Sequence, residues 1–120
     1  MGASRFPKER RLRVRAEFDR VQAGTAAARV HTRHFLVLAT PRTGDARTPR
    51  LGIIASRRVG SAVRRNRAKR LVRQFFRVKT AGLGALDVVV VVKTGADALS
   101  QDAADAELAP AFAKLPGSTP

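Results

Sequence analysis

Continuous apolar runs stand at three places in the chain and predict its strands. The runs over 32–39, 51–56 and 87–93 are short and rich in Val, Ile and Leu. Runs of this length and composition are typical of strands that are buried on both faces of a sheet. The strand over 87–93 is the clearest, because five valines follow one another there.

Apolar residues at helical spacing predict three helices. Gly24 suits the position just after the first helix, and Ser61 suits the N-cap of the second. The third is rich in Ala and contains Pro110, which we expect to kink or interrupt it. The predicted helices cover residues 15–22, 61–78 and 100–115.

These elements run in the order α-β-β-α-β-α and predict an α+β fold. Residues 51–93 form a β-α-β unit, so the expected architecture is a small mixed β-sheet packed with helices. A chain of 120 residues with 44% hydrophobic residues suits one domain. We place that domain at 1–115, with a basic extended arm over 1–14 and a disordered tail over 116–120.

The helix predicted over 61–78 has one apolar side and one cationic side. At 100° per residue, one stripe is apolar and is expected to face the core. It contains Ala68, Leu71, Val72, Phe75 and Phe76. The opposite stripe is polar and basic, with Lys69 at its edge. It contains Asn66, Arg70, Arg73 and Arg77.

Charge makes this helix the centre of the functional prediction. The chain carries 24 Lys and Arg against nine Asp and Glu, a formal charge of +15. Residues 57–79 hold ten of these cations and no acid. Arg64 and Arg67 join the arginines at 57, 58 and 65 in a rim at the start of the helix. Such unbalanced charge predicts a polyanionic partner, with nucleic acid first and an anionic membrane surface second.

Catalytic chemistry by this chain is not indicated. There is no Cys, so thiolate zinc sites and cysteine nucleophiles are excluded. Acids such as Asp19, Asp45 and Asp87 are scattered, and no pair for two-metal catalysis is evident. His31 and His34, placed on opposite faces of one strand, predict surface histidines and no metal site. The longest apolar run is far too short to span a bilayer.

A long motif resembles one protein family. The segment SRRVGSAVRRNRAKRLVRQFFR (56–77) resembles the signature S-K-K-x-G-N-A-V-x-R-N-R-x-K-R-x-x-R of the bacterial ribonuclease P protein component. The chain has Arg57 and Arg58 where that family usually has Lys, and Ser61 where Asn is common. Phe18, Val21 and Gly24 also match the family's F-x-x-V-x-x-G. The resemblance covers roughly residues 8–100.

The resemblance implies a fold and an activity. The implied fold is ribosomal protein S5 domain 2-like, with a left-handed β-α-β crossover, whereas general rules favour the right hand. The family binds RNase P RNA, and the complex is an endoribonuclease that removes the 5′ leader of precursor tRNA. The RNA carries the chemistry, so no catalytic residue, protein-held metal, membrane or small-molecule substrate is expected. Mg²⁺ is expected with the RNA complex, and the implied location is the cytoplasm.

The resemblance also assigns RNA contacts by position. Gln22 and Leu38 stand where the family often has aromatic residues, which thins the surface for stacking on the leader. The alternative left open is a ribosomal or nucleoid-type nucleic-acid-binding protein with no processing role. The residues implied for the leader are Phe18, Val21, Arg65, Asn66, Lys69 and Arg73. Those implied for RNase P RNA are Arg57, Arg58, Arg64, Arg67, Arg70 and Arg77.

Overall fold

The computed structural model describes residues 28–42, 48–79 and 84–115. The predicted arm over 1–14, the helix over 15–22 and the tail over 116–120 lie outside the described residues. The domain limits at 1–115 therefore stay a prediction.

Four strands of the described residues form one mixed sheet. Their order is β1-β2-β4-β3, so the first strand along the chain lies at one edge and the third at the other. β3 runs parallel to β4, and the remaining neighbours are antiparallel. The strands are β1 (Ala28–His31), β2 (Phe35–Pro41), β3 (Arg50–Ala55) and β4 (Leu86–Val92).

The structure adds an edge strand, β1, that the sequence does not predict, and the strand predicted over 32–39 is β2, which begins at Phe35. A turn separates β1 from β2, in which the Thr32 amide donates to the Phe35 carbonyl (2.8 Å) and the Phe35 amide donates to Thr32 Oγ1 (3.0 Å). The prediction that His31 and His34 lie on opposite faces of one strand is therefore wrong. His31 ends β1 and His34 belongs to the turn.

Two α-helices and two short 3-10 helices complete the described fold. They are the 3-10 helix Arg57–Val59, α1 (Ala62–Lys79), the 3-10 helix Ala96–Ala98 and α2 (Gln101–Ala113). Ser100 caps α2, its Oγ accepting from the Ala103 amide at 3.1 Å. The expected interruption at Pro110 is wrong, because α2 runs through it. Pro110 has no amide hydrogen, so the Ala106 carbonyl lacks its helical donor. Both residues are exposed, so water can hydrogen-bond to that carbonyl.

Both helices pack on the same face of the sheet. Phe35, Val88 and Val90 form its fully buried floor, and the Phe75 and Phe112 rings meet edge to face at 4.9 Å between centroids. This arrangement confirms the predicted α+β fold with a mixed sheet. The hand of the β3-α1-β4 crossover stays a prediction.

The second face of the sheet carries its own apolar cluster around Leu38 and Val89. Within the described residues this cluster contains strand side chains only, and neither helix contributes to it. At its end lies Asp87, which is fully buried. Arg50 binds the Asp87 carboxylate through Nε at 2.8 Å and Nη2 at 2.9 Å, and Arg42 Nε lies 3.8 Å away. This ion pair joins the parallel strands β3 and β4.

Candidate nucleic-acid interface

Helix α1 divides into the two faces that its sequence predicts. All five residues of the apolar stripe are buried at 8% exposure or less. The helix packs with this side on β3, β4 and α2. The opposite side is exposed, and Lys69 is half-buried at its edge. The exposed polar residues on it are Asn66, Arg70, Arg73 and Arg77, and Arg67, which the sequence predicts in the rim, is exposed beside them.

Several cations of this surface have no acidic neighbour. Among the described residues, Arg67 and Arg70 form no ion pair, and neither do Arg57 and Arg58. Like charges at helical spacing repel one another when no acid lies between them. Contact with a polyanion such as an RNA backbone would lower this repulsion among the cations on the cationic face of α1.

The start of α1 is built by a 3-10 turn and a glycine. Ser56 Oγ accepts from the Arg58 amide at 3.3 Å and caps the turn. Gly60 has φ 139°, a conformation that favours glycine. Ser61 Oγ accepts from the Arg64 amide at 3.4 Å, as its predicted capping role requires. Together these caps place two exposed arginines, Arg57 and Arg58, beside the first turn of α1.

Arg65 and Lys69 lie on one flank of α1, and both are half-buried. Arg65 Nε is buried and has no hydrogen-bond partner in the described part of the chain. A buried donor without a partner costs roughly 1–3 kcal/mol. Within the described residues, the guanidinium of Arg65 therefore has a hydrogen-bond donor that remains unused.

Arg64 differs from Arg57, Arg58, Arg67 and Arg70 because it has an acidic partner among the described residues. Its Nε donates to Asp97 Oδ2 at 3.0 Å. Sequence reasoning missed Asp97, since nothing in the spacing of 33 residues indicates contact. One signal was present: residues 81–120 hold five acids and only two cations, which suggests acidic partners for the basic half.

Glu107 of α2 is a second acid that sequence reasoning missed. Its carboxylate accepts from Thr32 Oγ1 (2.5 Å) and the His34 amide (2.6 Å), and its Oε1 lies 2.7 Å from His34 Nδ1. Burial acts to raise the pKa of Glu107, but the hydrogen bonds from His34 and Thr32 outweigh it and hold the pKa below its ordinary value. His34 is thus an anchor for α2, whereas His31 is exposed and its Nδ1 lies 3.4 Å from Lys93 Nζ.

Two of the expected leader contacts, Phe18 and Val21, lie outside the described residues. Leu38, where an aromatic residue is common in the family, is buried in the cluster on the second sheet face. The remaining predicted residues gather on α1 and on the 3-10 turn before it. The structure thus brings ten of the twelve predicted contacts to one helix and the turn before it.

The described residues offer no candidate metal site and no candidate membrane-spanning helix. No group of three His, Cys, Asp or Glu side chains there could hold a metal ion. None of the described helices combines the length and apolarity that a membrane crossing requires.

Known proteins resemble this chain along most of its length. The ribonuclease P protein component of Citrifermentans bemidjiense is 41% identical over 115 residues, covering 96% of each chain. That of Acinetobacter baylyi is 42% identical over 111 residues, covering 92% of this chain and 82% of the relative. The structure of the Staphylococcus aureus RNase P protein superposes with a TM-score of 0.77 at 28% identity, covering 88% of this chain and 95% of that one.

Residues 6–116 match the family Ribonuclease P. This match spans the cationic helix, the sheet and α2, and the alternative of a ribosomal or nucleoid-type protein is not favoured. The chain belongs to the ribonuclease P protein family, the protein subunits of the RNA-catalysed endoribonuclease that processes the 5′ ends of tRNA.

Proposed function

We propose that this chain holds two RNAs at once. One is RNase P RNA, the partner that family membership implies. The other is precursor tRNA, whose single-stranded 5′ leader the protein positions while the RNA subunit cuts. The observation that carries the proposal is the cationic face of α1, where Arg67 and Arg70 are exposed and have no acidic partner among the described residues.

The two RNAs divide the basic surface in this proposal. The exposed arginines and the rim bind RNase P RNA: Arg57, Arg58, Arg64, Arg67, Arg70 and Arg77. The leader binds to Arg65, Asn66, Lys69 and Arg73, with Phe18 and Val21 as apolar contacts. The half-buried flank supports this division, because the buried Arg65 Nε has no hydrogen-bond partner among the described residues.

Metal ions enter the proposal only through the RNA. Mg²⁺ supports the chemistry of the RNA complex, and the protein supplies cations that replace part of the counterion atmosphere around crowded phosphates. The described residues contain no candidate ligand set for the ion. We place the activity in the cytoplasm, where the reducing conditions suit a chain without Cys.

Reconstitution tests the proposed function. Precursor tRNA is incubated with a bacterial RNase P RNA over a series of Mg²⁺ concentrations, with and without this protein, and with the protein alone. We expect the protein to lower the Mg²⁺ requirement and to leave the substrate intact when the RNA is omitted. Cleavage by the purified protein alone, or an unchanged Mg²⁺ requirement, contradicts the proposal.

Salt dependence tests the RNase P RNA contacts. Arg67→Ala and Arg70→Ala should each reduce the slope of log K against log salt by about one, if each arginine neutralises one phosphate. Lys114→Ala is the matched control, because Lys114 is an exposed cation at the far end of α2. An unchanged slope in both arginine variants means that these residues face solvent in the complex.

Phe18 tests the leader contact. Phe18→Ala should weaken binding of precursor tRNA by about 1–3 kcal/mol and leave mature tRNA unaffected, because only the precursor offers a base to stack on. The competing role is packing in the core, which predicts a loss of about 3–5 kcal/mol of stability and equal weakening for both tRNAs. Melting temperature and the two affinities, measured together, decide between them.

A further inference from the structure

We propose that Asp97 is a positioning residue that holds Arg64 ready for one phosphate of RNase P RNA. The inference rests on the proposed function, because it assigns a task to an acid within the basic surface. Its basis is the geometry of Asp97, Arg64 and Gly60, which meet at the start of α1.

The ion pair uses only one edge of the Arg64 guanidinium. Nε donates to Asp97 Oδ2 at 3.0 Å, and the terminal nitrogens have no partner among the described residues. The Arg64 side chain remains 62% exposed, whereas that of Asp97 is only 7% exposed. The carboxylate is thus fixed within the protein, and the terminal nitrogens of the arginine face outward.

Gly60 makes room for this arrangement. A Cβ at position 60 would lie 2.7 Å from Arg64 Cδ and 3.3 Å from Nη1. The arginine side chain therefore lies directly over the glycine backbone. Its stem lies beside Gly60 and its Nε is bonded to Asp97, so part of its rotamer freedom is already lost before RNA binds.

The Arg50–Asp87 pair shows what a structural ion pair looks like in the same protein. Arg50 uses both Nε and Nη2 on two carboxylate oxygens, and its side chain is only 18% exposed. Arg64 makes one bond to its acid and is more than three times as exposed. The Arg64 geometry leaves free the pair of terminal nitrogens that suits a phosphate.

Asp97 favours RNA binding because it orders the Arg64 side chain before the RNA binds. Immobilising a long side chain on binding lowers the affinity, and an arginine already held in place avoids part of this cost. Arg57 and Arg58 lie on the neighbouring 3-10 turn and maintain the positive potential that attracts the phosphate. The negative charge of Asp97 opposes RNA binding, so its effect through Arg64 has to exceed that repulsion.

Because of this balance, the direction of the change in RNA affinity distinguishes two roles of Asp97. If Asp97 only neutralises Arg64, removing it from a surface that binds a polyanion strengthens RNA binding. If Asp97 positions Arg64, Asp97→Ala weakens RNA binding although the protein becomes more positive. The two roles thus predict opposite changes in one measured affinity.

The experiment measures the affinity of the full chain for RNase P RNA over a range of salt concentrations. We expect Asp97→Ala to weaken binding roughly three- to tenfold, which corresponds to the cost of ordering one long side chain on binding. The salt slope should fall by up to about one, which loss of stability alone does not produce. Asp97→Asn keeps an acceptor for Nε and should retain more affinity than Asp97→Ala. Asp102→Ala, which removes an exposed acid in the first turn of α2, is the control and should not weaken binding.

A double-mutant cycle separates the possible failures. In an Arg64→Ala background, Asp97→Ala should cause no further loss, since its effect acts through Arg64. Tighter binding by Asp97→Ala, or equal affinity of the Ala and Asn variants, overturns the positioning role while leaving the proposed function intact. Unchanged binding in Arg64→Ala, Arg67→Ala and Arg70→Ala together contradicts the proposed function itself. If Asp97→Ala lowers the melting temperature below the assay range, Asp97→Asn, measured alone and in the Arg64→Ala background, still decides.

Discussion

The buried ion pair between Arg50 and Asp87 allows a quantitative test of the fold. Asp87 is completely buried and receives two hydrogen bonds from Arg50. Arg50→Met removes both donors and leaves a carboxylate in the sheet with Arg42 Nε at 3.8 Å as its described ionic neighbour. Removing one partner of a buried pair costs about 3–5 kcal/mol. For a domain of this length, that corresponds to a fall in melting temperature of about 10–20 °C.

Urea unfolding and thermal melting of the purified protein measure this loss. The double variant Arg50→Met with Asp87→Leu should recover most of the stability, because well-packed apolar residues can replace a buried ion pair at little cost. Arg29→Met is the control, since Arg29 is exposed on β1 and should change the unfolding free energy by less than about 0.5 kcal/mol. A loss below about 1 kcal/mol for Arg50→Met, or a double variant no better than the single one, refutes the reasoning.

Three further stability predictions follow from other sites. Gly60→Ala should cost about 1–3 kcal/mol in urea unfolding, because φ 139° is strained for any residue with a Cβ. Phe112→Ala should lower the unfolding free energy by about 3–5 kcal/mol, since its ring packs on both Phe75 and Phe76. Because folding lowers the pKa of Glu107 from its ordinary 4.5, the stability it contributes is present above that pH and is lost as pH falls through the lower folded value. Glu107→Gln should therefore flatten the acid side of the stability profile, and an unchanged profile contradicts this role.

Most of the sheet could be predicted because its strands are dense in aliphatic residues. The runs over 51–56 and 87–93 were placed within one residue of β3 and β4. β1 was missed because Ala28–His31 holds a single large aliphatic residue and is half exposed. The turn before β2 contains neither Gly nor Pro and depends on the side chain of Thr32, which leaves little signal in the sequence.

The two faces of α1 could be predicted because their pattern lies within eighteen consecutive residues. With 3.6 residues per turn, residues three or four apart lie on the same side of a helix, so the buried stripe follows from spacing alone. The acids that pair across the fold carry no such local signal. Asp97 lies 33 residues from Arg64, and Asp87 lies 37 residues from Arg50. These contacts form because the order of the strands and the path of the chain after β4 bring residues that are distant in sequence close together.

The distribution of these acids decides which cations remain for RNA. Asp87, Asp97 and Glu107 all lie after α1 in the sequence, and each contacts a basic residue from the preceding part of the chain. Arg50, the partner of Asp87, is a residue of β3, and His34, the partner of Glu107, lies in the turn before β2. No described acid pairs with Arg67 or Arg70, so the positive charge of these two residues on the cationic face of α1 is not neutralised by the described acids. Among the described residues, Asp87 and Glu107 thus pair with residues of the sheet and of its β1–β2 turn, whereas Asp97 contacts Arg64 on the proposed RNA-binding surface. For that reason its removal is the most informative single substitution on the cationic side of this protein.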